Sequence, residues 1–126
     1  YIYFSPYTAH AIEIGGVVFP TVEHAYQCQR YTDPKIIEEI RRATSPVNAW
    51  KVSSKYKHLQ IPEFKNEEYK LEMMEKMMRL KLEQHEEIRK ALIDSKDLKI
   101  IKKALIFWTS LFSILNWRTW ANGAVS

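Results

Sequence analysis

A carboxylate at Glu23 and a carboxamide at Gln27 stand four residues apart in the stretch from Pro20 to Gln27, Pro-Thr-Val-Glu-His-Ala-Tyr-Gln. On a helix that spacing puts both side chains on one face, where the amide can orient the carboxylate, a water or a bound molecule. Thr21 is a residue type that caps helix starts, so Glu23 falls in the first turn, where the helix dipole favours negative charge. Glu23 is therefore expected to stay ionised at neutral pH. That suits an electrostatic stabiliser or a general base and argues against a general acid. The competing reading is a helix-start residue worth roughly a few tenths of a kcal/mol, with Gln27 a polar surface residue.

Other side chains extend this set. His24 lies about 100° around the helix from Glu23 and reads as a structural donor rather than the catalytic acid. Arg30 and Lys81 are candidates for a phosphate, since cationic side chains answer doubly charged oxygens; each has the alternative of a solvated helix charge. Phe4 and Tyr7 offer flat faces on which a nucleobase stacks, with core packing as the alternative. No His-x-x-x-His pair or cysteine cluster is present, so neither a metal nor a cofactor is implied. Lys51, Lys55 and Lys57, interleaved with Tyr56 and His58, read more simply as an exposed helix end than as a nucleic-acid contact.

The elements that must position these groups follow from turn and cap signals. Gly15-Gly16 between Ala11-Ile12-Glu13-Ile14 and Val17-Val18-Phe19 predicts a short hairpin. A helix is expected over Val22 to Tyr31, ended by Thr32-Asp33-Pro34. Pro34 opens a second helix through Ile36, Ile37, Ile40 and Ala43, and Ser45-Pro46 opens a third toward Lys57. Lys57 to Lys65 reads as a loop broken by Pro62. A long helix is expected from Glu67 to about Leu82, with Tyr69, Met73, Met77 and Leu80 on one stripe, widened by Met74 and Met78. This methionine stripe is core, not a cofactor box. A short helix over Glu86 to Asp94 follows. The fold class is α+β: an α-rich single domain with one small hairpin sheet.

Composition bounds the function classes. A chain of 126 residues, 46% apolar and 27% charged, suits one globular domain and is too short for two. Its single cysteine, Cys28, excludes an internal disulfide, reads as a small buried hydrophobe and points to the cytoplasm. The formal charge of +4 suits an anionic partner such as a sugar phosphate, a nucleotide or nucleic acid. No Arg/Lys-led signal peptide is visible, and Tyr1 in place of Met makes the chain read as a fragment or processed product.

The segment from Phe4 to Ala49 resembles the NADAR family, which includes YbiA-like proteins. The resemblance runs through Phe4-Ser5-x-Tyr7, Gly16, and the specific core Pro20-Thr21-x-Glu23-His24-x-Tyr26-Gln27-x-Gln29-Arg30-Tyr31, then Asp33. Glu38-Glu39-Ile40 and Ser45-Pro46-x-x-Ala49 continue it, and Met77, Lys81-Leu82, Gln84-His85 and Leu92 fit the family's later helix. It covers roughly residues 1–103. The resemblance implies hydrolysis of an N-glycosidic bond in a ribosyl phosphate, either a riboflavin-pathway intermediate or an ADP-ribosylated nucleobase. It favours Glu23 as the catalytic carboxylate, while Phe4, Tyr7, Gln27, Arg30 and Lys81 remain the candidate substrate-binding residues, each with the alternative given above. The partner is then a phosphorylated ribosyl small molecule or an ADP-ribosylated base, with nucleic acid left open and oligomeric state unspecified.

Departures from the family pattern are two. Lys51-Val52-Ser53-Ser54-Lys55 and Asn66 stand near places where the family often has Met-Gly-Arg and Trp. The stretch 104–126 is a divergent apolar tail with one charge, Arg118, and lacks the family's Asp-x-x-Trp-Gly and Gly-x-Asn-x-Leu-Gly segments. A reading-frame change near Ala104, a truncation and a genuine tail that packs in their place or binds a partner are all open. Ala104 to Trp117 is too short for a bilayer, which needs about 20 residues, so no membrane partner is expected. Two alternatives stand beside the enzyme: a non-catalytic module for ADP-ribose or a nucleotide, and a helical interaction domain docking through its tail.

Overall fold

The computed structural model describes residues 5–95; Phe4 and the apolar tail lie outside them. Two strands, β1 (Ile12–Ile14) and β2 (Val17–Phe19), form an antiparallel hairpin with Ile12 opposite Phe19 and Ile14 opposite Val17. Gly15 and Gly16 make its turn at φ 57° and 83°. A pair of left-handed residues matches the twist of the flanking strands, and glycine adopts that conformation without a Cβ clash.

Five helices follow: α1 (Val22–Cys28), α2 (Pro34–Arg41), α3 (Pro46–Lys55), α4 (Glu67–Gln84) and α5 (Glu86–Ser95). The caps are local chemistry. Thr21, Asp33, Ser45 and Asn66 each accept a backbone N–H of the first turn through their side-chain oxygens, each contributing about 1 kcal/mol. Pro34 and Pro46 occupy first-turn positions, where a missing N–H costs nothing. Between α3 and α4 the expected loop contains two 3-10 turns, Lys57–Leu59 and Pro62–Lys65.

Helix α1 stops at Cys28, three residues short of the expected end. Arg30 N–H bonds Gln27 O and Tyr31 N–H bonds Cys28 O, so the chain tightens into i→i+3 bonds and leaves the helix. The consequence matters below: Arg30 stands on this tightened turn just past α1.

Helix α1 is the centre of the domain. It packs against α2, α3, α4 and β2, and all seven of its residues are buried. With Val22 and Ala25 of α1, Ile12, Phe19, Ile40, Ala49, Phe64, Met77 and Leu82 form one apolar core. The methionine stripe of α4 belongs to that core, through Met77 and Met78, with Met73 and Met74 packed against it. Cys28 is likewise a buried hydrophobe, and burial pushes its thiol up to about 12.

Residues 5–11 lie across the start of α1 and the end of α4. Pro6 O accepts the Glu23 N–H at 3.1 Å. Lys81 donates to Ser5 O and Thr8 Oγ1, and His85 Nε2 meets Ala11 O. Gln84 then completes the edge of β1, accepting from Glu13 N at 2.7 Å and donating to Glu13 O at 2.9 Å. One turn of α4 thus holds both the leading segment and the hairpin against α1. Among the described residues no helix is long and apolar enough to cross a membrane.

Candidate functional site

A wholly buried helix should be apolar all round, yet α1 buries Glu23, His24 and Gln27, at 5%, 1% and 3% exposure. Each such group must find a partner or cost free energy. His24 finds two. Its Nε2 lies 2.9 Å from Ala43 O, an acceptor only, so Nε2 carries the proton and donates. The Thr21 hydroxyl then donates to Nδ1 over 2.8 Å while its oxygen accepts the His24 backbone N–H. His24 is the structural tie between α1 and the α2–α3 connection.

Glu23 is satisfied differently. Gln27 Nε2 donates to Glu23 Oε1 at 2.8 Å, one turn along the same face. No cation forms an ion pair with this carboxylate among the described residues. Burial pushes the Glu23 carboxyl above the usual carboxylate range, opposed by the Gln27 hydrogen bond and by the charge of Arg30. Burial therefore opposes the helix-start field that favours the ionised form. Desolvation raises the carboxyl's proton affinity, and the helix-start field works against that rise rather than unopposed.

Tyr7 is half exposed, and its hydroxyl is pushed up by burial and then by the charge of Glu23. It therefore stands on the carboxylate's side of α1, in the segment that Lys81 holds. Lys81 is itself 1% exposed, and burial lowers its ammonium to about 8. Its donors are engaged by Ser5 O and Thr8 Oγ1 rather than turned toward Arg30.

On the other side of Gln27 a cavity of about 200 Å³ opens, walled by Gln27, Arg30, Trp50, Lys57, Gln60 and Lys70. Its floor is rigid: Tyr31 donates to Ser53 O at 2.5 Å, and Ser53 Oγ donates back to the Tyr31 hydroxyl at 3.2 Å. Arg30 reaches Gln60 Oε1 at 3.1 Å and the Tyr26 hydroxyl at 3.2 Å. Its guanidinium lies over the Tyr26 and Phe64 rings, 5.1 and 4.8 Å from their centroids. Its Nε has no hydrogen-bond partner among the described residues.

Of the residues singled out from sequence, the structure joins Glu23 to Gln27 by a hydrogen bond and Gln27 to Arg30 as neighbours in one cavity wall. Tyr7 lies in the segment whose Pro6 O accepts the Glu23 N–H, Lys81 holds that segment through Ser5 O and Thr8 Oγ1, and Phe4 falls outside the described residues. Trp50, Gln60 and Lys70 were not legible as site residues; an exposed tryptophan among lysines on α3 was the one signal available. Among the described residues no group of three His, Cys, Asp or Glu side chains is gathered to hold a metal.

Comparison with known proteins adds to this geometry. Residues 1–106 match the NADAR domain. The N-glycosidase YbiA of Escherichia coli (strain K12) is 37% identical over 100 residues, covering 79% of this chain and 61% of that protein. The N-glycosidase YbiA of Shigella flexneri serotype 5b (strain 8401) matches at the same identity and coverage. The NMR structure of the E. coli protein YbiA is similar at a TM-score of 0.64 and 34% identity, covering 75% of this chain and 55% of that one. The chain thus spans about 61% of the length of the curated relatives it matches.

Proposed function

The chain belongs to the NADAR domain family; on that premise we propose that it is an N-glycosidase that hydrolyses the C1–N bond of a ribosyl phosphate. The observation that carries the reading is the buried pair of Glu23 and Gln27, joined at 2.8 Å beside a cation-lined cavity. The relatives named N-glycosidase YbiA support it.

Cleavage of a C1–N bond builds positive charge on the ribose ring as the bond's electron pair leaves with the nitrogen. A carboxylate near C1 stabilises that charge, and one with raised proton affinity is the better acceptor for a proton from attacking water. In this account Glu23 supplies the charge and takes the water proton, and Gln27 fixes the carboxylate's orientation. Water oxygen bonds to C1, the C1–N bond breaks with its electron pair going to nitrogen, the nitrogen takes a proton from solvent, and Glu23 returns the water proton to solvent. Arg30 answers the phosphate and Tyr7 lies against the base. Lys81 acts at one remove, through the segment that carries Tyr7. Both substrate classes, a riboflavin-pathway intermediate and an ADP-ribosylated nucleobase, contain this bond.

The test is hydrolysis of a ribosylamine 5-phosphate and of ADP-ribosylated guanine in ¹⁸O-labelled water. Free base together with ¹⁸O at C1 of the released sugar is expected from at least one of them. Absence of base from both overturns the reading.

A second reading is favoured by one feature: Glu23 is only 5% exposed, and the cavity opens on Gln27's side. A pocket so placed can take the phosphate end of a nucleotide or of ADP-ribose without bringing C1 to the carboxylate. Calorimetric binding of ADP-ribose with no base release from either substrate selects that binding module.

A further inference from the structure

Residues 5–11 form a strap across the start of α1, and its internal bonds are short turns such as His10 N–H to Thr8 O at 2.8 Å. Its hold on the rest of the domain comes from α4 and from the joint between α4 and α5. Lys81 of α4 donates to Ser5 O and Thr8 Oγ1, and His85, the residue that ends α4, donates from Nε2 to Ala11 O. What the strap meets is the candidate site: Pro6 O accepts the Glu23 N–H at 3.1 Å, and Tyr7 follows directly. How tightly the strap is held therefore bears on the carboxylate.

One side chain of the strap takes part in that hold. The His10 ring is 18% exposed, with Nδ1 2.7 Å from Thr8 Oγ1 and Nε2 3.9 Å from Glu87 Oε1 of α5. The Glu87 carboxylate can only accept, so Nε2–H faces it and Nδ1 of the neutral ring accepts the Thr8 O–H. The Thr8 oxygen takes Lys81 while its proton serves His10, so one hydroxyl ties strap, ring and ammonium together. A second proton on His10 undoes this. Nδ1 then presents an N–H where it had accepted one. An imidazolium now stands near the Lys81 ammonium and edge-on to the His85 ring, 5.2 Å between centroids. Glu87 is the carboxylate at hand, and it lies nearer His85 Nδ1, at 3.4 Å, than His10.

We propose that His10 is a positioning residue that makes the strap acid-sensitive: its neutral ring locks residues 5–11 onto Lys81 and Glu87, and its protonation loosens them from Glu23. The inference rests on the N-glycosidase reading for its purpose, since the strap carries Tyr7 and meets the carboxylate's helix. The surroundings agree in sign. Burial, then the Lys81 ammonium and the His85 ring, hold His10 below the ordinary histidine value of 6.5, with Glu87 opposing them. A ring whose proton affinity is lowered in the held strap binds its proton better when the strap is loose. The strap is thus fully held above pH 6.5 and loses hold as pH falls from there to the lowered value.

The test uses the full chain and hydrogen exchange at the Glu23 amide, expressed as protection relative to the unstructured rate at each pH. Protection at Glu23 should fall severalfold between pH 6.5 and the midpoint of the His10 ring, measured by NMR titration, while Ile40 in α2 keeps its protection. Glu23 also takes up a proton on acidification, and His10→Asn separates the two. Its amide oxygen stands where Nδ1 accepts from Thr8 and does not titrate, so Glu23 protection in the variant should stay level over the same range. Wild-type protection that does not fall, a fall outside that interval, a His10 midpoint at or above 6.5, or a fall that persists in His10→Asn overturns the proposal. Should the variant fold poorly, the position of the wild-type fall against the His10 midpoint decides. No substrate is needed, so base release without an acid-sensitive strap leaves the glycosidase reading standing. An acid-sensitive strap without base release does the reverse.

Discussion

Gln27 donates its amide to the Glu23 carboxylate at 2.8 Å while its own side chain walls the neighbouring cavity. Carboxylate and cavity are therefore coupled through one side chain. Anything that displaces Gln27 alters both the charge balance at Glu23 and the shape of the pocket.

The first expected outcome follows from that bond. Gln27's N–H favours the ionised carboxylate, so its removal adds to the upward push that burial already gives Glu23. Gln27→Ala should move the acid limb of kcat/KM to higher pH, with a larger loss on that limb than on the plateau above it. A pH profile of parallel shape, merely scaled down, contradicts this role for the amide.

Stability should respond to Glu23 in the opposite sense to activity. A carboxyl whose folded pKa is raised favours the fold below the ordinary carboxylate range. That contribution is lost as pH rises through the folded value, because the unfolded chain releases its proton first. Glu23→Gln removes the ionising group yet keeps an oxygen to accept from Gln27. Its Tm should exceed the wild type's at pH 8, with the difference shrinking toward pH 4. Calorimetry at the two pH values checks it; an equal or lower Tm at pH 8 contradicts it.

Lys81 should govern the leading segment. Its ammonium holds Ser5 O and Thr8 Oγ1, and Pro6 O between them accepts the Glu23 N–H. Lys81→Met should speed hydrogen exchange at the Glu23 amide by about tenfold or more, while the amide of Ile40 in α2 keeps its protection. The lysine's own titration is a second check. With its folded pKa lowered to about 8, the wild type should gain stability as pH rises from there toward 10.5. The variant should lack that gain.

The contrast between what the sequence revealed and what it hid follows the range of the forces involved. The hairpin was legible because Gly15-Gly16 supplies a turn whose geometry those two residues alone dictate. The starts of α1, α2 and α3 were legible because Thr21, Asp33 and Ser45 act within three residues of themselves. Glu23 with Gln27 was legible as an i, i+4 pair, and His24 as a structural donor. The cavity was not, because its wall is made when the two 3-10 turns dock Gln60 and Lys57 beside Arg30, thirty or so residues upstream. Lys81 shows the same limit. Its expected alternatives were a phosphate contact or a solvated charge, and neither anticipates an ammonium buried on Ser5 and Thr8 at the far end of the chain. The burial of Glu23 was hidden for a related reason: the dipole is a property of the helix, but the desolvation comes from the elements packed around α1.

Turnover by Glu23→Gln tests the central claim most directly. With a ribosylamine 5-phosphate substrate, kcat for base release should fall at least ~100-fold, the usual effect of removing one transition-state electrostatic contact. The Kd for ribose 5-phosphate should stay within about twofold of the wild type's. Base release undiminished in Glu23→Gln would contradict the assignment of Glu23 as the working carboxylate.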